Sequence, residues 1–257
     1  MTLSPAAMSV VAGLFGLLIG SFLNVCIFRL PRGTSVVWPA SACGSCKREL
    51  RWFENIPIVS WLVLGAKCAR CQAPISMQYP LVEAVTAVLF VLVVALTPVS
   101  PLLAARLVFV CALIVLFVID LEHQILPNVI TLPGIAVGLA FALVGPPGWR
   151  AALLGVVLGG GLLYATAAGY YLMRKEEGLG MGDVKMLAMI GAFLGWQAVL
   201  LTLVLASFSG AIIGLLLIAA QRGSMKYALP FGTFLALGAL VAMLAGQPLI
   251  DWYAGFY

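Results

Sequence analysis

Charge is what this chain has least of. Asp, Glu, Lys and Arg together make up 9% of the 257 residues, where a soluble globular domain carries about a quarter. With 63% hydrophobic residues and a mean hydropathy of +1.15, there is too little polar surface to enclose a water-soluble core, which excludes an ordinary soluble enzyme or binding module. Histidine is scarce as well, His123 being the single one. A serine triad needs a histidine base and a His-rich zinc protease needs at least two histidine ligands, so both mechanisms are set aside. No Lys or Arg precedes the first apolar run, Pro5 to Phe28. A cleaved secretory signal opens on a positive segment, so this run is expected to be a retained span.

What the chain has instead is a succession of apolar runs, separated by Pro, Gly and small clusters of charge. A bilayer core of about 30 Å takes about 20 apolar residues per helix. Eight spans are expected, near residues 6–28, 80–97, 102–121, 128–144, 150–173, 183–196, 197–220 and 229–249, giving an all-α polytopic membrane protein. The stretch from Val184 to Ala220 would make one helix of about 55 Å at 1.5 Å per residue, too long for a single crossing. The break is placed at Gly195-Trp196-Gln197, where a Trp suits the membrane interface. Gly155, Gly159, Gly160 and Gly161 give the fifth span a small-residue face for close helix packing.

The Lys and Arg count sets the expected orientation. With the amino terminus outside, only Arg106 and Arg150 of the fourteen Lys and Arg fall on the outer side. The rest, including Arg222 and Lys226, face the cytosol, where positive charge is retained. This asymmetry accounts for the net charge of +5, and no nucleic-acid partner is implied. The expected organisation is a first span at 1–29, a cytosolic domain at 30–78 and a membrane domain of about seven helices at 79–257.

The cytosolic segment is too small and polar for a large core and needs a staple. Cys43-Gly44-Ser45-Cys46 and Cys68-Ala69-Arg70-Cys71 are two C-x-x-C knuckles with 21 residues between them. Paired knuckles complete a closed tetrahedral thiolate site, so Cys43, Cys46, Cys68 and Cys71 are expected to hold a structural zinc ion. Cytosolic placement argues against disulfides. Cys26 and Cys111 lie within spans and read as small apolar residues.

Two acids stand out. Asp120 closes the third span and Asp183 opens the sixth after the glycine-rich run Gly178-Leu179-Gly180-Met181-Gly182. An even number of spans between them puts both at the cytosolic face. Two close aspartates cannot both ionise readily, and such a pair can share a proton, one activating water while the other protonates a scissile carbonyl. Helix dipoles suggest Asp183 as resting base and Asp120 as resting acid. The glycines are expected to supply positive φ and an open approach, with Gly180, Gly182 and Lys185 supporting the loop. Taken singly, Asp183 reads equally well as a helix cap and Asp120 as a headgroup-level acid. Glu122 points away from Asp120 on a helix, Glu176 and Glu177 read as solvated charges, and His123 as an interfacial polar residue. A proton-coupled transporter using Asp120, Glu122 and Asp183 is the alternative from another class.

The ordered set Gly20-Ser21-Phe22-Leu23-Asn24-Val25, Arg29-Leu30-Pro31, the paired knuckles, Tyr79-Pro80-Leu81-Val82-Glu83, Asp120 with Leu126-Pro127, Gly180-Met181-Gly182-Asp183-Val184-Lys185 and Pro230-Phe231-Gly232 resembles the bacterial type IV prepilin leader peptidases. These are membrane aspartyl proteases of the G-x-G-D type. The resemblance implies an inner-membrane enzyme that cuts the basic leader from prepilins or pseudopilins after a glycine at the cytosolic face. It also implies methylation of the new N-terminal residue with S-adenosylmethionine, although a peptidase without methyltransferase activity fits the same residues. The family's catalytic aspartates fall on Asp120 and Asp183. Methyl transfer is associated with the amino-terminal half, where Glu83 and Asn24 are candidate methyl-transfer or substrate contacts. Asn128 stands where relatives often carry Asp, and Thr233 where they often carry Pro; neither departure is expected to touch the aspartate pair.

Overall fold

Each apolar run becomes one helix. The computed structural model describes residues 4–176, 180–220 and 229–255. The long helices are α1 Pro5–Arg29, α3 Gln78–Leu96, α4 Pro101–His123, α5 Asn128–Ala142, α6 Trp149–Arg174, α7 Met181–Leu194, α8 Trp196–Ala220 and α9 Phe231–Ala254; a short α2, Val59–Val63, lies in the polar segment. Gly178, Glu177, Arg222 and Lys226, assigned to loops above, lie outside the described residues. Six of the eight long helices are long and apolar enough to cross a membrane. The other two, α5 and α7, have 15 and 14 residues, about 22 and 21 Å of helix against a hydrocarbon core of about 30 Å.

The chain forms two compact units, Met1–Leu103 and Ala104–Tyr257. Within the first, α1 packs along α3 because Gly16 and Gly20 bring the backbones together: a Cβ on Gly20 would stand 2.7 Å from the Glu83 Cα. That contact groups α3 with α1, whereas the sequence placed residue 79 onward with the membrane domain.

Within the second unit, α7 is the central element, touching α5, α6, α8 and α9. Every residue from Met186 to Phe193 is buried. Small residues make this possible, since Gly155 and Gly191 meet backbone to backbone and a Cβ on Gly159 would overlap the Leu187 carbonyl. Gly160 is in ordinary contact distance of Ala188 and Gly161 faces open space, so two of the four expected glycines do the close packing. Phe193 also stacks on Phe109 of α4, ring centroids 4.7 Å apart. The expected break holds: Gly195, at φ +83 and ψ 173, separates α7 from α8. By contrast Phe208, Ile212, Leu215 and Leu216 of α8 are exposed, as suits a lipid-facing helix.

Candidate active site

Local sequence explains how the end of α4 is shaped. Gln124 takes a positive φ of 54° and its N–H bonds the Asp120 carbonyl at 2.9 Å, stopping the helix. Pro127, the N-cap of α5, follows, and Leu126 between them is turned into the second unit. Its side chain lies against two glycines: a Cβ on Gly182 would be 2.9 Å from Leu126 Cβ, and one on Gly232 would be 2.9 Å from Leu126 Cδ1. Leu126 is thus a spacer that sets the starts of α7 and α9 around the last turn of α4.

Both aspartates border this turn. Asp120 is buried in the last turn of α4, and Asp183 sits half-buried in the first turn of α7, within electrostatic reach of Asp120. Asp183 is the third residue of α7, whose N-cap is Gly180, so it is not a cap. Gly180 has φ −70 and Gly182 lies inside the helix, so the expectation of positive φ is corrected for both. Gly182 is required by the closeness of Leu126, whereas a Cβ on Gly180 would stand 3.4 Å from Asp183 Oδ2, an ordinary contact.

Thr233, set aside above as a harmless departure, touches Asp120 directly. Its N–H and its hydroxyl donate to Asp120 Oδ2 at 2.6 and 3.1 Å. A glycine in the first turn of an otherwise apolar helix, Gly232, was the available signal, since it leaves room for the carboxylate. Asn128 is also engaged, its Oδ1 accepting from Lys185 Nζ at 2.9 Å and tying α5 to α7. Lys185 thus bonds to α5, and no ion pair with Asp183 occurs among the described residues. Glu122 is exposed and lies 3.9 Å from His123.

The first unit holds the other candidates. Cys43, Cys46, Cys68 and Cys71 place their Sγ atoms within 4.8 Å of one another, and all are free thiols. The two knuckles repeat one geometry 25 residues apart. Cys43 N–H bonds Arg48 O and Cys68 N–H bonds Ala73 O, each at 2.9 Å; Leu50 N–H bonds Ser41 O at 2.8 Å as Ile75 N–H bonds Ala66 O at 2.7 Å. Lys47 and Gln72, each following the second cysteine, share a positive φ of 57° and 59°. Backbone N–H groups of Cys71 and Arg70 pull the Cys68 thiol down to about 6, and those of Cys46 and Ser45 lower Cys43, favouring thiolates at these two, while burial and the neighbouring cysteines push Cys71 up to about 11, as crowded sulfurs do with no cation between them. The 3.7 Å between Cys43 and Cys71 Sγ is close to the ~3.8 Å edge of a tetrahedron with metal–sulfur bonds of about 2.3 Å. The donor set fits a closed four-thiolate metal site.

Asn24 and Glu83 are both buried in this unit and both engaged by the chain itself. Asn24 Nδ2 donates to the Tyr79 carbonyl at 3.0 Å, and Glu83 Oε2 accepts the Ile58 N–H at 2.7 Å. Ile58 has φ 60 and ψ −49, a costly conformation for a β-branched residue that the Glu83 bond helps to hold. In the same segment Glu54 accepts from Arg48 Nη1 and Nη2, at 3.0 and 2.6 Å, so the guanidinium holds its carboxyl below the usual carboxylate range.

Fold and site together define a helical, multi-pass membrane protein with a two-carboxylate centre and a four-cysteine accessory segment. Residues 14–97 match the bacterial peptidase A24 N-terminal domain and residues 107–215 the type IV leader peptidase family, the interval between them spanning the boundary of the two compact units. A prepilin leader peptidase/N-methyltransferase of Aeromonas salmonicida (strain A449) is 39% identical over 269 residues, covering 93% of this chain and 91% of the relative. One from Pseudomonas aeruginosa is 36% identical over 98% of this chain and 95% of the relative, and one from Myxococcus xanthus (strain DK1622) is 43% identical over 80% and 62%. No solved structure matches. The chain belongs to the type IV leader peptidase family, and nothing among these relatives supports the transporter alternative.

Proposed function

We propose that this protein removes the leader from type IV prepilins or pseudopilins with Asp120 and Asp183 as the catalytic pair. The observation that carries the reading is their convergence from α4 and α7, with Leu126 spacing both helix ends. One carboxylate takes a proton from water as the water oxygen bonds to the scissile carbonyl carbon. The other gives its proton to the carbonyl oxygen, and collapse of the resulting diol returns a proton to the leaving amine. Gly180 and Gly182 keep side-chain bulk away from the approach to Asp183, and Lys185 anchors that approach through Asn128.

In this reading the substrate's basic leader stays at the cytosolic face of the inner membrane while its apolar segment enters the bilayer, matching the charge asymmetry of the loops. The four cysteines hold zinc, which keeps the polar segment folded and takes no part in hydrolysis. Methylation of the new amino terminus, with S-adenosylmethionine supplying the methyl group, follows the relatives' names. Asn24 and Glu83 are taken up by internal hydrogen bonds, so no residue is assigned to the methyl donor and no methyl-transfer step is derived.

The test is incubation of detergent-purified protein with a synthetic prepilin, with no ion gradient present. Cleavage by the wild type and its loss in Asp120→Asn and in Asp183→Asn, each folded, is the expected result; processing that persists in either variant refutes the pair.

A further inference from the structure

The two oxygens of Asp120 are not equivalent. Oδ2 accepts both the N–H and the hydroxyl of Thr233, and the bare Gly232 beside them leaves the space, since a Cβ there would lie 2.9 Å from Oδ2. Asp120 and Thr233 are 4% and 5% exposed, so solvent competes little for these bonds and each is strengthened by its surroundings. Two donors to one oxygen stabilise the ionised form more than the neutral one, and they bar a proton from Oδ2, leaving Oδ1 as the oxygen open to one. No donor from the described residues reaches the Asp183 carboxylate. Direct bonds to a charged, buried oxygen outweigh the end of a helix dipole, which reverses the division of roles that the dipoles suggested.

We propose that Thr233 is a positioning residue that holds Asp120 as the proton-free, water-activating member of the pair, with Oδ1 as its working oxygen and Asp183 as the proton carrier. The proposal rests on the two-aspartate reading above. In the first step Asp120 Oδ1 gains a proton from water, the water oxygen bonds to the carbonyl carbon, and Asp183 gives its proton to the carbonyl oxygen. The pair starts with its single proton on Asp183 and ends the step with it on Asp120.

The groups around Asp120 are few. From α9 it meets Gly232 and Thr233, from the α4–α5 turn Leu126, and from α7 Asp183, which is the titratable member. On its own helix Glu122 and His123 lie beside each other, and Lys185 of α7 is bound to Asn128.

Thr233→Val keeps the side-chain shape and the N–H and removes the hydroxyl, while Thr233→Ser keeps both donors. Cleavage of a synthetic prepilin is followed over a pH series with purified protein. In Thr233→Val kcat is expected to fall about tenfold, the worth of one hydrogen bond to a charged group, with KM within about twofold. Its acid limb moves to higher pH by about one unit, because a base deprived of a donor needs higher pH to stay free of protons. Thr233→Ser restores all three quantities. Should Thr233→Val fold poorly, Thr233→Ala removes the same hydroxyl. An unmoved acid limb in a folded variant lacking the hydroxyl, or an equal loss in Thr233→Ser, overturns the role of Thr233. A limb moved to lower pH returns the base to Asp183. Cleavage retained by Asp120→Asn or Asp183→Asn instead sinks the two-aspartate reading itself, and is distinguishable because those variants leave Thr233 unchanged.

Discussion

Replacing Gly232 by Ala adds one methyl group at the most confined point of the site. That carbon would lie 2.9 Å from Asp120 Oδ2, 2.9 Å from Leu126 Cδ1 and 3.0 Å from Asp120 Cγ, so neighbours must retreat by about 0.5 Å or more to reach ordinary contact. Leu126 Cδ1 is the end of a flexible side chain and can swing. The carboxylate cannot move without disturbing the 2.6 and 3.1 Å bonds from Thr233, the longer of which is already near the limit for a useful hydrogen bond. A displacement of about 1 Å at a reacting group costs up to about 100-fold in rate, so a loss of about 10- to 100-fold in kcat is expected. Stability should fall by no more than about 2 kcal/mol, because overpacking of about 1–3 kcal/mol is offset in part by the roughly 1 kcal/mol that Ala gains over Gly within a helix. The assay is steady-state cleavage of a synthetic prepilin alongside thermal unfolding in the same detergent. Gly161→Ala, where a Cβ meets nothing within 4 Å, is the matched control and should cleave like the wild type. If Gly232→Ala cleaves within about twofold of the wild type, the site is not as tight as the geometry says and the reasoning about Asp120 fails with it.

Gly182→Ala, driven into Leu126 at 2.9 Å, should impair cleavage more than Gly180→Ala, which meets Asp183 at 3.4 Å; equal effects would mean that the glycines act through backbone freedom instead. Gly191→Ala collides with the Gly155 backbone and should destabilise the protein by at least about 1–3 kcal/mol, read as a lowered unfolding temperature; an unchanged temperature would refute the close α6–α7 crossing. Freshly purified, reduced protein should carry one zinc ion per chain, and Cys68→Ser or prolonged chelation should release it and expose the segment between α1 and α3 to protease. Full protection of that segment after complete metal loss would remove zinc from the account of its folding.

Six of the helices were legible in the sequence because a bilayer imposes a length and an apolar composition on each of them separately; α5 and α7, expected as spans too, are shorter and were legible only as apolar runs between Pro and Gly breaks. The break at Gly195 was legible for the same reason, as an uninterrupted run to Ala220 exceeds the membrane. So were the cysteine knuckles, whose ligand spacing is a local property of two tight turns, and so were Asp120 and Asp183 as charges that an apolar run carries only at a cost. Spacing along the chain could not reveal Thr233 as a partner of Asp120, because 113 residues separate them and the bond exists only once α9 has docked beside α4. Nor could it reveal why Gly182 and Gly232 are small, a reason that lies in Leu126, or why Glu83 is spoken for by Ile58.

The sequence by itself determined a many-helix membrane protein with two acids at the ends of apolar runs and four thiols in a polar segment, since each of those is dictated by composition or short-range spacing. Tertiary structure alone decided that α3 belongs with α1, that the shortest long helix, α7, is the one wrapped by its neighbours, and that one oxygen of Asp120 is bonded twice. Those outcomes depend on which glycine faces let backbones approach, and close approach is a property of two surfaces meeting, which no single stretch of chain contains.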